Sequence, residues 1–401
     1  MMTYKNLVFI FGILAVLVLS SCAGGKNIIN KQFLKDEYLK SVASNPDHEV
    51  QIIYTSVNKK NKTFTSYTYN VDPSKYFYPA STVKMPVAIL ALQKINEIKG
   101  TGIDINRKDN MLTGAFRPNQ TPSFVDETTE SRQPNIERYI QKLFAVSDNN
   151  AYNRLYEFLG QDYINQTLRS KGAFTNSIIN HRLSIPNLTP EDNRHTNDIR
   201  FFRNNSMLYD NKGTSSEIVW KHAAQNAVKG VGYLDAKDSL VNQPFDFTMK
   251  NFYNLKDMEG TLQRIILPDF FPTNQRFDIT ADDYEFLKKS MSDLPKTYKF
   301  YQNDTTYYDS YVKFLMFGDN KAPMPENIKI YNKVGNAYGY LIDCAYIEDT
   351  SKDIGFFLTA VIHVNKNKIY NDGKYEYNEI GLPFLAKLGK VVYEYELKNK
   401  K

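Results

Sequence analysis

The sequence predicts an α+β fold in which an antiparallel sheet, flanked by helices near the two termini, carries an inserted all-helical subdomain. Three observations lead there. Runs rich in β-branched and aromatic residues lie near both ends, at 50–71 and 328–364. The middle of the chain, at 82–98 and 136–159, spaces its apolar residues as helices do, and amphipathic segments at 31–42 and 379–396 bracket the whole. With 42% hydrophobic and 23% charged residues over 401 positions, the composition is that of a packed globular chain and not a disordered one. The net charge of +6 is spread without a basic stripe, which argues against a nucleic-acid partner.

Taken in order, Lys5 precedes an apolar run from Leu7 to Leu19 that is too short for a membrane span, so residues 1–21 read as a secretory signal. The run ends in Leu19-Ser20-Ser21-Cys22, which resembles the lipobox of bacterial lipoproteins. That resemblance implies that Cys22 is lipidated and that the protein is anchored in the bacterial cell envelope, periplasmic or surface-exposed. Cys344, the second of two cysteines, then has no partner and reads as a small buried hydrophobe. Five histidines (His48, His181, His195, His222, His363) never fall at H-x-x-x-H spacing, so no structural zinc site is expected.

Residues 22–46 read as a tether and first helix, and 47–401 as one domain with an insertion at about 190–245. Val50 to Val57 and Thr63 to Val71 flank a polar turn, the pattern of a β-hairpin. Thr82 to Ile98 is a strongly apolar helix with Pro86 in its first turn, closed by Gly100. Ile136 to Ala145 and Ala151 to Leu159 are helices separated by Ser147-Asp148-Asn149-Asn150. The insertion lacks periodicity except at Ile218 to Val228, where a helix is expected. Ile328 to Val334, Tyr338 to Ile347 and Ile354 to Val364 read as antiparallel strands, and Glu379 to Glu396 as the last helix.

Ser81 and Lys84 stand three apart at the mouth of the apolar helix, on one helical face. A serine hydroxyl needs a base, and a desolvated lysine near other cations serves as one at neutral pH. The same spacing recurs at Ser56/Lys59 and Ser310/Lys313, which read as surface decoration because only Ser81 opens a buried helix. Ser147-Asp148-Asn149 lies between two helices, where such a triplet is also an ordinary cap. Lys333-Val334-Gly335 lies on an expected strand.

In that order, and on those element types, the three motifs resemble the serine β-lactamase and penicillin-binding protein superfamily, closest to the class A β-lactamases; Tyr78-Pro79-Ala80-Ser81-Thr82-Val83-Lys84 is the most specific part. The resemblance implies a β-lactamase-like fold with Ser81 as acylated nucleophile and Lys84 as its base. Ser147 would relay a proton to the leaving nitrogen, and Lys333 would supply positive potential for Ser147 and for a substrate carboxylate. Asn149, Val334, Gly335 and Asn336 would line the substrate, with the backbone N–H groups of Ser81 and Asn336 as oxyanion hole. It implies a monomer needing neither metal nor organic cofactor, acting on a β-lactam or a cell-wall-peptide-like amide or ester. A penicillin-binding-type peptidase or esterase, and a slow-turnover binding or sensing protein, are the alternatives.

Three positions depart from that pattern. Ser184 stands where the deacylating glutamate belongs, with His181, Glu191 and Asp192 as the nearest substitutes. Val334 replaces a hydroxyl residue, and no arginine follows Lys333. Arg194, Arg200 and Arg203 of the insertion are the candidates to replace that arginine.

Overall fold

The computed structural model describes residues 28–399, so the apolar leader and Cys22 lie outside the described residues. The first helix is shorter than expected. A single π-helical turn, Ile29–Phe33, ends before Asp36, whose carboxylate accepts from the Leu39 N–H and starts α1 (Glu37–Ser44) afresh.

β1 (Gln51–Asn58) and β2 (Thr63–Tyr69) form the expected hairpin. They join β6 (Ile328–Ala337), β7 (Tyr340–Asp349) and β8 (Ile354–His363) in an antiparallel sheet of order β6-β7-β8-β1-β2. Both faces of the sheet are covered, so β7 and β8 are buried almost from end to end. Ile53, Cys344, Phe357 and Val361 face the helical layer, and Ile52, Ala345, Leu358 and Ile362 face the terminal helices α1 and α9 (Leu382–Asn399). Cys344 is buried and unpaired, as its apolar neighbours predict.

Between the sheet's strands in sequence, α2 (Lys84–Gly100) is buried on all sides from Lys84 to Gln93, with Val87 to Ala91 fully enclosed. A 3-10 turn at Ala80–Val83 precedes it, and Pro86 falls in its first turn, where its missing N–H donor costs no intrahelical bond. α3 (Ile136–Ala145), α4 (Asn149–Leu159) and α5 (Gln161–Ser170) complete the helical cluster. Two helices that the sequence pattern leaves unassigned, α7 (Leu255–Ile266) and α8 (Ala281–Ser292), pack against β7, β8 and β6.

The 190–245 segment holds a short helix α6 (Pro190–Arg194) and a hairpin, β4 (Ile199–Arg203) with β5 (Ser206–Asn211), which pairs with β3 (Asn110–Thr113). The helix expected at 218–228 is absent. Ile218 and Val219 are exposed while His222 and Ala227 are buried, so the stretch meets the core without helical spacing. The segment is held through α5 instead, since the Ser216 hydroxyl and the Trp220 indole N–H both donate to Asp162, at 2.5 and 2.6 Å.

Behind β6 the second decoy motif is buried, contrary to expectation. Ser310 donates to the Asn320 carbonyl, and Lys313 donates to the carbonyls of Met291 and Ile330 and to Asn332 Oδ1 at 2.7 Å. Asn332 in turn donates to Asp343 at 2.7 Å, whose other oxygen accepts the N–H groups of Phe314 and Leu315. This relay fixes the chain crossing the back of the sheet. Replacing Lys313 with Met orphans three acceptors and takes an attractive charge from the buried Asp343. Lys313→Met is therefore expected to lower stability by about 3–5 kcal/mol in a denaturant titration.

Candidate active site

Three elements meet at the first residue of α2. The Lys84 amine, fully buried, lies 2.9 Å from Ser81 Oγ, 2.5 Å from the Ser147 carbonyl, 3.2 Å from Ser147 Oγ and 2.6 Å from Asn149 Oδ1. Burial pulls its pKa down to about 7, against a smaller opposing pull from Asp148. The neutral amine fits this shell. Its two N–H bonds serve the Ser147 carbonyl and Asn149 Oδ1, which only accept, and its lone pair is left for the Ser81 hydroxyl. From β6, Lys333 donates to Ser147 Oγ and to the Val334 carbonyl, both at 2.9 Å. Burial and the nearby Lys84 push the Lys333 pKa well below its ordinary value.

Local sequence explains how these side chains are presented. Asp148 is the N-cap of α4 and accepts from the Ala151 N–H at 2.7 Å, so Ser147 and Asn149 on either side of it turn toward Lys84. The triplet is thus a helix cap as well as a site element. Four non-glycine residues around the site hold left-handed backbone: Ala80 (φ 47°), Ser147 (φ 58°), Ser184 (φ 54°) and Tyr338 (φ 55°). Gly335 is required where it stands, because a Cβ there would lie 2.7 Å from the Pro79 carbonyl and hold β6 away from the Ser81 turn.

The cleft above these groups encloses about 380 Å³. Ser81, Asn149, Ser184 and Asn336 line it, closed by Tyr338 and by Tyr375 from the segment after β8. Tyr338 and Tyr375 carry no sequence signal, since Tyr is abundant throughout the chain. Val334 is not at the surface of the cleft: strand alternation turns it to the other face of the sheet, where it is buried among Ile330 and Leu341. No side-chain carboxylate and no arginine line the cleft.

The proposed substitutes are committed elsewhere. His181 is buried, and its Nδ1 donates to the Arg182 carbonyl at 2.6 Å; burial lowers its pKa to about 3, so the ring is neutral. Glu191 pairs with Arg194 and His195 at the surface, and Asp192 caps α6 through Thr189. Arg194 donates to the Ser216 carbonyl, Arg200 pairs with Asp198 and Asp210, and Arg203 pairs with Asp104 and Asp109. None of the three reaches the cleft. Among the described residues no cluster of three His, Cys, Asp or Glu side chains is placed to hold a metal ion.

A family described as a β-lactamase enzyme family matches residues 34–219. A reconstructed class A β-lactamase of the last common ancestor of Gram-negative bacteria is 13% identical, with 92% of this chain and 100% of that chain covered at a TM-score of 0.51. PBP-A is 14% identical, with 91% and 96% covered at 0.50. The β-lactamase of Sphaerobacter thermophilus is 12% identical, with 89% and 95% covered at 0.50. The fold is that of the class A β-lactamases. No curated protein matches the chain.

On this class A-like fold the buried Lys84 gives a pH signature. Only its neutral form accepts a proton, so acylation of Ser81 is expected to rise as pH increases through about 7 and to level off above it. Stopped-flow acylation with an activated ester across pH 5 to 9, compared with Lys84→Arg, reads this; a flat profile in the unsubstituted protein contradicts it.

Proposed function

We propose that the protein is a serine hydrolase of the class A type that transfers the acyl group of a β-lactam or related amide or ester to Ser81. The observation that carries this reading is the shell of Lys84, which leaves an uncharged amine one free position, 2.9 Å from Ser81 Oγ. In the reaction Ser81 Oγ bonds to the substrate carbonyl carbon while its proton passes to Lys84. The carbonyl oxygen develops charge against the N–H groups of Ser81 and Asn336. When the C–N bond breaks, Ser147 delivers a proton to the leaving nitrogen and recovers one through Lys84. Lys333, 2.9 Å from Ser147 Oγ, favours the charge that passes through that hydroxyl. Asn149 orients the acyl side chain. Water then cleaves the ester and restores Ser81.

The second half-reaction is the weak one. Ser184 lines the cleft near Asn149, accepting from its Nδ2 at 2.9 Å, and a hydroxyl there does not activate water as a carboxylate does. General-base help typically contributes about a hundredfold to ten-thousandfold, so acyl-enzyme accumulates. Intact-mass spectrometry after mixing with excess penicillin is expected to show a long-lived adduct that is absent from Ser81→Ala. Ser184→Glu is expected to shorten its lifetime at least about tenfold. Rapid clearance of penicillin without a detectable adduct sinks this reading. Long adduct lifetime also favours the alternatives, a penicillin-binding-type peptidase or esterase or a sensing protein; turnover of a cell-wall peptide distinguishes them.

The same proposal places the protein in the cell envelope on a lipid at Cys22, supported by the Leu-Ser-Ser-Cys ending of the apolar leader. Metabolic labelling with a palmitate analogue is expected to mark the protein and to vanish in Cys22→Ser.

A further inference from the structure

A second cleft, also about 380 Å³, lies beside the first, and Tyr78, Ser184 and Tyr338 belong to the walls of both. Because Asn149 donates to Ser184, the second cleft continues from the end of the first at which Asn149 stands. Four charged or titratable side chains line it: His181, Arg182, Asp246 and Lys250.

Three of these are settled by the protein itself. Arg182 donates to Glu157 at 3.0 Å and to the carbonyls of Asp192 and His195. Asp246 accepts from the Thr248 N–H and hydroxyl, which hold its carboxyl below the usual range. The His181 ring is neutral and gives its Nδ1–H to the Arg182 carbonyl. Lys250 is different. Its ammonium is partly buried, yet among the described residues nothing pairs with it, neither a carboxylate nor a carbonyl or hydroxyl. A half-desolvated cation without a counter-ion costs stability, and an anion seated beside it removes that cost.

We propose that the second cleft is the acyl-side specificity subsite of the Ser81 site, in which Lys250 binds a carboxylate carried by the acyl group of the substrate. The inference rests on the acyl-transfer reading for its link to Ser81. It narrows the substrate class to amides or esters of dicarboxylic acids, including peptides with an acidic residue on the acyl side of the cleaved bond. The charge of Lys250 belongs to the second cleft, across the wall of Tyr78, Ser184 and Tyr338 that the two clefts share.

The test separates binding from turnover. Calorimetric titration of Ser81→Ala protein with glutaric acid monoanilide and with neutral pentananilide reads the subsite without chemistry. The acid is expected to bind more tightly by about ten- to hundredfold, with the preference lost on adding Lys250→Met and kept with Lys250→Arg. Equal affinity for the two anilides, no binding of either, or an unchanged preference in Lys250→Met overturns the proposal. Turnover of glutaryl against pentanoyl p-nitroanilide by the unsubstituted protein reads the chemistry. A binding preference without turnover leaves the subsite standing and removes the Ser81 reading, whereas turnover of both without preference does the reverse.

Discussion

A desolvated amine at Lys84, its pKa pulled down to about 7 by burial, is the constraint on which the rest of the site depends. A lysine loses its proton near neutral pH only when water is kept from it, and here a hydrophobic layer does so: the first ten residues of α2 are enclosed, and Lys84 is the first of them. The same burial makes every unsatisfied contact expensive, so the amine must find acceptors for its N–H bonds. The Ser147 carbonyl and Asn149 Oδ1 provide them from either side of Asp148, whose side chain caps α4. Left-handed backbone at Ala80 and Ser147 brings the Ser81 and Ser147 side chains to the amine. Such conformations cost of order 1 kcal/mol or more each, and the packed layers on both sides of the turn offset that cost.

Much of this was legible because a few local signals happen to coincide with buried elements. The hairpin at 51–69, the strands of 328–363 and α2 to α4 follow from apolar patterning, and the sheet order then brings the two ends of the chain together. The Ser-x-x-Lys spacing was less informative by itself. Ser310 and Lys313 share it and are equally buried, yet Ser310 turns to the Asn320 carbonyl and Lys313 has three protein acceptors of its own. A lysine with every proton placed is a structural tie. Lys84 differs in having a hydroxyl at the remaining position, and spacing alone does not say which surroundings a lysine will have.

What sequence did not yield depends on tertiary direction. Val334 sits beside Lys333 in the chain, but adjacent strand residues point to opposite faces, and the one nearer the motif's consensus role is turned into the core behind the sheet. Ile218 to Val228 has helical spacing in the sequence, but it buries His222 and Ala227 and exposes Ile218 and Val219, and contacts such as Trp220 to Asp162 and Gln225 to Ser74 hold its path. Tyr375 closes the cleft from a segment some forty positions beyond Lys333, on the order of one hairpin's length away, with nothing in its neighbours to mark it.

The charge distribution around the site follows from the same desolvation that creates the base. Lys84 and Lys333 both surround Ser147 Oγ, and their mutual repulsion together with burial means that the pair carries less positive charge than two surface lysines would. The Lys333 amine is directed at the Ser147 hydroxyl and the Val334 carbonyl. On the acyl-transfer reading, a substrate carboxylate bound against Lys84 or Lys333 would stabilise their protonated forms and raise the pH at which Lys84 is free to accept a proton. A chain that lacks an arginine after Lys333 and turns residue 334 away avoids that conflict, because nothing near the two lysines is built to hold a carboxylate. Recognition of charge is then compatible with a neutral Lys84 only where it is separated from it by uncharged groups, and Asn149 and Ser184, hydrogen-bonded to each other, are the polar but uncharged partition that this geometry supplies.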